Sequence, residues 1–192
     1  MDITQISEKE KKARARKMML WFGIVSLIMG FAGWTSAYIV SSSREDWLAD
    51  FELPSAFLYS TLVILFSSLT YMLAQRAVKQ DQPKMATNWL MATFVLGITF
   101  IVLQIFGFSQ MVAQGYYFTG PTSNITVSFI YVIAAVHILH VLAGLVTVLV
   151  VLINQMKQKY TAGEMLGMEM GATFWHFVDL LWIYLVLFFY FY

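Results

Sequence analysis

The sequence has no cysteine, which excludes a disulfide, a thiolate metal site and a catalytic thiol; metal chemistry would rest on three histidines and the carboxylates. Charge is scarce as well. Only 12% of the 192 residues are charged, 59% are hydrophobic, and the mean hydropathy is +0.69. A chain this poor in charge is too apolar for an ordinary soluble domain and reads as an integral membrane protein. The net charge of +1 carries little information, because the distribution of the charges holds the signal. No basic stripe, internal repeat or second domain is present, so no nucleic-acid partner is expected.

What is present is a polar arm, Met1 to Lys17, followed by five apolar runs at about 18–40, 54–75, 86–110, 124–152 and 168–191. Each is near or above the ~20 residues that a helix needs to cross a bilayer. The first run is too long for the apolar region of a signal peptide and lacks a small-residue cleavage site, so it is expected to remain as a helix. Pro54 suits a first helical turn, and Gly120-Pro121-Thr122-Ser123-Asn124 is turn-like, with Ser123 or Asn124 as a candidate N-cap.

Lysines and arginines set the orientation, because cytoplasmic loops retain positive charge. With the N-terminus inside, the inner segments hold eleven: six in 1–17, then Arg76, Lys79, Lys84, Lys157 and Lys159. The outer segments hold only Arg44. The expected fold is therefore an all-α integral membrane protein, a bundle of five transmembrane helices with the N-terminus cytoplasmic and the C-terminus outside. Residues 1–17 are read as a cytoplasmic basic arm and 18–192 as the transmembrane domain. The outer loop 41–53 carries Glu45, Asp46, Asp50 and Glu52, read as solvated loop charge. Gly163, Gly167 and Gly171, spaced by four, mark a close-packing face of the fifth helix; Gly23, Gly30 and Gly33 lie in the first. Trp21, Trp34, Trp47 and Trp89 are read as interfacial anchors.

Two acids, Glu169 and Asp179, lie within or at the edge of the apolar runs, together with all three histidines, His137, His140 and His176. Ionisable groups in a bilayer face protein or water and have partners. His137 and His140 share a face of the fourth helix; Glu169, His176 and Asp179 share a face of the fifth. At ~1.5 Å per residue, His140 falls ~13 Å from the inner end of its helix and His176 ~10 Å from the start of the next. A polar clasp between helices four and five is thus geometrically reasonable. Other readings are a b-type haem held by His140 and His176, a proton path along the His/Asp/Glu line, and contacts to lipid headgroups. A small proton-coupled transporter is a further alternative. A carboxylate-bridged dinuclear metal site lacks its Glu-x-x-His pattern.

Two motifs carry a resemblance. Gly167-Met168-Glu169, followed by Phe174-Trp175-His176-Phe177-Val178-Asp179 and Trp182, resembles the ending of subunit III of the haem-copper oxidases, which includes the cytochrome c and quinol oxidases. His137-Ile138-Leu139-His140-Val141-Leu142-Ala143-Gly144 is similar to that family's His-x-x-His-x-x-x-Gly helix, and weaker similarity reaches through Leu103-Gln104 and Leu96-Gly97 to the first helix. The chain is similar to the five-helix bacterial form. Two departures stand out: 18–40 holds no acid where the family often has a glutamate, and Gly107-Phe108 replaces a frequent Glu-Tyr pair. The resemblance implies a non-catalytic subunit of a respiratory terminal oxidase in the bacterial inner membrane. Such a subunit has no catalytic, cofactor or metal residue of its own; haem and copper belong to partner subunits. Subunit I is the expected direct partner, with subunit II, other oxidase subunits, phospholipids and possible membership of a respiratory supercomplex. The resemblance implies that His137, His140, Glu169, Trp175, His176, Asp179 and Trp182 are buried polar, structural or lipid-associated residues. Either cytochrome c or quinol fits as electron donor.

Overall fold

The computed structural model describes residues 7–48, 53–121 and 123–192. Five helices follow one another: α1 (Glu8–Ser41), α2 (Ser55–Lys79), α3 (Pro83–Ala113), α4 (Ile125–Met156) and α5 (Leu166–Phe191). Each is long and apolar enough to cross a membrane. There is no strand among the described residues, only an isolated bridge between Thr161 and Glu164.

The first helix begins ten residues before the expected 18, so residues 8–17 of the basic arm continue into it, while 1–6 lie outside the described residues. Ser7 caps it: its hydroxyl accepts from the Glu10 N–H while the Glu10 carboxylate accepts from the Ser7 N–H, each at 3.3 Å. That reciprocal pair satisfies two orphan donors and starts the helix in polar sequence. At ~1.5 Å per residue its 34 residues reach ~51 Å, well past a ~30 Å hydrocarbon layer, so its charged first turns project beyond the apolar zone.

The connections obey the same local rules. α2 ends with Arg76 and Lys79 in its last turn, where cations complement the helix dipole. Pro83 then opens α3 at a position that needs no N–H. Gly115 (φ +86°) ends α3 in the left-handed region, with the Tyr116 N–H donating to Met111 O at 2.9 Å. Asn124 caps α4, its side-chain oxygen accepting from the Thr126 N–H at 2.8 Å.

Helices α2, α3, α4 and α5 form a closed four-membered ring, and α1 packs outside it against α4 and α5. The middle of the ring is filled by the fully buried side chains of Phe57, Ile64, Phe100, Ile133, Trp175 and Trp182. Gly171 admits the Tyr71 hydroxyl and Val151, and Gly167 admits Tyr160. Gly163 stands before α5 and touches nothing, so the expected packing stripe of three is a pair. Gly23, Gly30 and Gly33 face outward with nothing near them.

Candidate functional site

The polar centre of the bundle is built on Trp175. Its indole is fully buried between α3 and α4, where a Cβ on Gly97 would lie 2.8 Å from the ring and one on Gly144 2.9 Å from it. Two helices thus carry glycine where the indole must pass, and its edge is left facing α2. There Nε1–H donates to Ser67 Oγ at 3.0 Å, and the Ser67 hydroxyl donates to Thr93 O of α3 at 3.4 Å. A buried indole N–H needs such a partner.

The next serine serves the other side of the same seam. The Ser68 hydroxyl donates to Asp179 Oδ2, and His176 Nδ1 lies 2.9 Å from the Ser68 oxygen. With the hydroxyl proton directed at Asp179, the Ser68 oxygen accepts from Nδ1–H in the tautomer that carries the proton there. The second atoms of this trio, His176 Nε2 and Asp179 Oδ1, are buried and have no protein partner among the described residues. Tyr71 meets the imidazole edge-on at 5.7 Å and donates its hydroxyl to Met168 O at 3.2 Å.

Six residues on from the histidine, Trp182 is also fully buried and donates Nε1–H to Thr61 Oγ1 of α2 at 3.2 Å. Its ring stacks on His137 of α4, centroids 5.1 Å apart and planes 25° apart. His137 is fully buried, edged by Phe31 and Phe100, and neither ring nitrogen has a protein partner among the described residues. His140 is half-buried: Nδ1–H donates to Val136 O at 2.7 Å within its own helix, and its ring lies 5.6 Å from Phe31 of α1.

Two expectations are corrected by this geometry. The clasp of His176 and Asp179 closes on α2, not on α4, because two adjacent serines of α2 face that seam; no hydrogen bond or ring contact joins His140 to His176 among the described residues. Glu169 is not a buried polar group. It lies in the first turn of α5, half-exposed, and accepts from Lys17 Nζ at 2.9 Å, because the extended α1 brings the basic arm alongside. Beside it Lys9 pairs with Glu164, whose carboxyl is thereby held below the ordinary glutamate range. At the opposite end Asp46 is lowered likewise by Arg44, at 2.8 Å.

Sequence reasoning passed over the hydroxyls of α2, although Ser60, Thr61, Ser67, Ser68 and Thr70 within one apolar run are the small polar residues that join membrane helices. It also passed over Gln104 of α3, fully buried, whose Nε2 donates to Ser60 Oγ at 2.8 Å. Among the described residues no group of three or more His, Cys, Asp or Glu is placed to hold a metal ion. Chemically, the arrangement ties α5 to α2 by directional hydrogen bonds and to α4 by ring stacking, within an aromatic core.

Comparison with known proteins places this architecture. The family model described as cytochrome c oxidase subunit III matches residues 46–192, a stretch that contains the ring α2–α5 and leaves α1 outside. The chain is 36% identical over 133 residues to a cytochrome bo(3) ubiquinol oxidase subunit 3 of Pseudomonas aeruginosa, covering 69% of this chain and 62% of that protein. It is 29% identical over 182 residues to the protein of the same name in Buchnera aphidicola, covering 92% of this chain and 87% of that one. A cytochrome c oxidase subunit 3 of Alkalihalophilus pseudofirmus is 33% identical over 125 residues, 65% of this chain and 60% of the relative. With five membrane-length helices and both polar motifs inside the matched stretch, the chain is an integral membrane protein that belongs to the cytochrome c oxidase subunit III family.

Proposed function

We propose that this chain is the non-catalytic subunit III of a respiratory haem-copper terminal oxidase, a complex that reduces oxygen to water and moves protons across the bacterial inner membrane. Its work is to support the catalytic subunit by packing and by retaining phospholipid, with subunit I as direct partner and subunit II and further subunits completing the assembly. The observation that carries this reading is the match over α2–α5 together with the use of the polar residues there: serine and threonine partners hold Trp175, His176, Asp179 and Trp182 in helix packing. In this assignment the N-terminus lies in the cytoplasm, as the lysine and arginine distribution favours. The long match to a ubiquinol oxidase subunit supports quinol as the electron donor. Purification of the tagged chain in mild detergent tests the assignment. Co-purification of a haem-containing subunit that oxidises quinol is expected; a chain recovered without any haem-copper subunit would refute it.

A further inference from the structure

Where the turn between α2 and α3 meets the connection between α4 and α5, the two enclose a cavity of about 230 Å³. Its polar lining is Asp81 and Gln82 of the turn, Gln155 at the end of α4, and Gln158, Tyr160 and Thr161 of the connection. No lysine, arginine or histidine lines it among the described residues. Gln155 is only 1% exposed, and its Oε1 has no protein partner among the described residues. A buried amide oxygen without a donor is destabilising, so an occupant of the cavity that satisfies it is favoured.

The charge around the cavity says what sign that occupant has. Asp81 forms no ion pair among the described residues. Helices α2 and α4 both end here, at Lys79 and Met156, and a helix C-terminus carries about half a negative charge. Arg76 and Lys79 offset that charge in α2, but the last turn of α4 holds no basic residue. Both helices close on a left-handed residue that is not glycine, Asp81 and Gln158, each at φ +53°. Glycine would adopt that backbone more easily, yet both positions keep an oxygen-bearing side chain and both line the cavity.

The donors say which cation fits. One carboxylate with amide and hydroxyl oxygens, and no imidazole or thiolate, suits a hard ion rather than a transition metal. Calcium takes most of its ligands from the protein, whereas magnesium keeps several waters and needs few carboxylates. At ~30 Å³ per water the cavity has room for an ion with much of its hydration shell. We infer that this cavity is a magnesium site, in which Asp81 and Gln155 Oε1 hold a hydrated Mg²⁺ that joins the α2–α3 turn to the α4–α5 connection. The site is independent of the oxidase assignment, because it is built and tested on this chain alone.

The full chain, purified in mild detergent and freed of divalent ions with EDTA, is titrated with MgCl₂ or with NaCl at equal ionic strength, and amide exchange is followed by mass spectrometry. At ten times the dissociation constant that the titration yields, Mg²⁺ should slow exchange over 78–83 and 155–161 about tenfold, and NaCl should not. Asp81→Asn removes the charge but keeps a residue suited to left-handed backbone, and should lose the effect. Glu45→Gln, an exposed change elsewhere in the chain, should respond as wild type does. Gln155→Leu removes the buried oxygen and should weaken the response about tenfold in Mg²⁺ concentration. Equal protection of wild type and Asp81→Asn overturns the inference, as does equal protection by NaCl. An undiminished response in Gln155→Leu also overturns it, since the ion would then sit on Asp81 outside the cavity. Should Gln155→Leu fail to fold, the exposed Asp81→Asn still decides between these outcomes.

Discussion

Trp175 reaches the centre of the ring because Gly97 and Gly144 carry no side chain, and the same closeness makes both glycines intolerant of a methyl group. Gly97→Ala and Gly144→Ala should each cost about 1–3 kcal/mol through overpacking. Their effects should not add, since both push on one indole. Thermal denaturation of the purified complex reads this, with Gly30→Ala, which has open space around it, as the neutral control. Ser68→Ala strips His176 and Asp179 of their shared partner and should cost about 1–3 kcal/mol, the range for a buried group left unsatisfied. His176→Ala or Asp179→Ala should likewise loosen the subunit while the haem spectrum of the complex stays unchanged; an altered spectrum with normal assembly would argue for a redox role. Glu169→Gln breaks only a half-exposed ion pair and should cost no more than about 1 kcal/mol. The contrast between Asp179 and Glu169 was not legible in the sequence. Both sit at one helical face in apolar surroundings, but Glu169 meets Lys17 of α1, a pairing between helices that the sequence pattern of α5 does not show.

At the scale of the element, α1 is the helix whose outer turns rest on local chemistry. Ser7→Ala removes the cap and should weaken the first turns by about 1 kcal/mol. The Lys9–Glu164 pair adds a pH dependence of definite sign. Because the Glu164 carboxyl is lowered in the folded chain, its contribution is complete above the ordinary glutamate range and disappears as pH falls through the lowered value. Amide exchange over residues 8–17, corrected for intrinsic rate, should therefore rise below about pH 4, while α2–α5 stays protected. The five helices themselves were legible as apolar runs, since length and hydropathy suffice for that. Their pairing was not: hydropathy says nothing about which face of α5 meets α2, and the decisive hydroxyls Ser67 and Ser68 are too weakly polar to interrupt the run around them.

At the scale of the molecule, the absence of cysteine makes the orientation directly testable. A single cysteine at Gln158 should resist a membrane-impermeant maleimide in spheroplasts, and one at Tyr192 should react; the reverse pattern would invert the topology. Each of the two long indoles that fill the ring comes from α5, and each is received by sites on α2, α3 and α4 that stand empty without it. During synthesis α5 leaves the ribosome after α2, α3 and α4. Until it inserts, the nascent chain presents a vacant groove and unanswered serine and threonine hydroxyls, a form well suited to recognition by membrane proteases. Insertion of α5 and escape from degradation thus become the same event, and a chain stopped before Leu166 should be cleared rather than assembled.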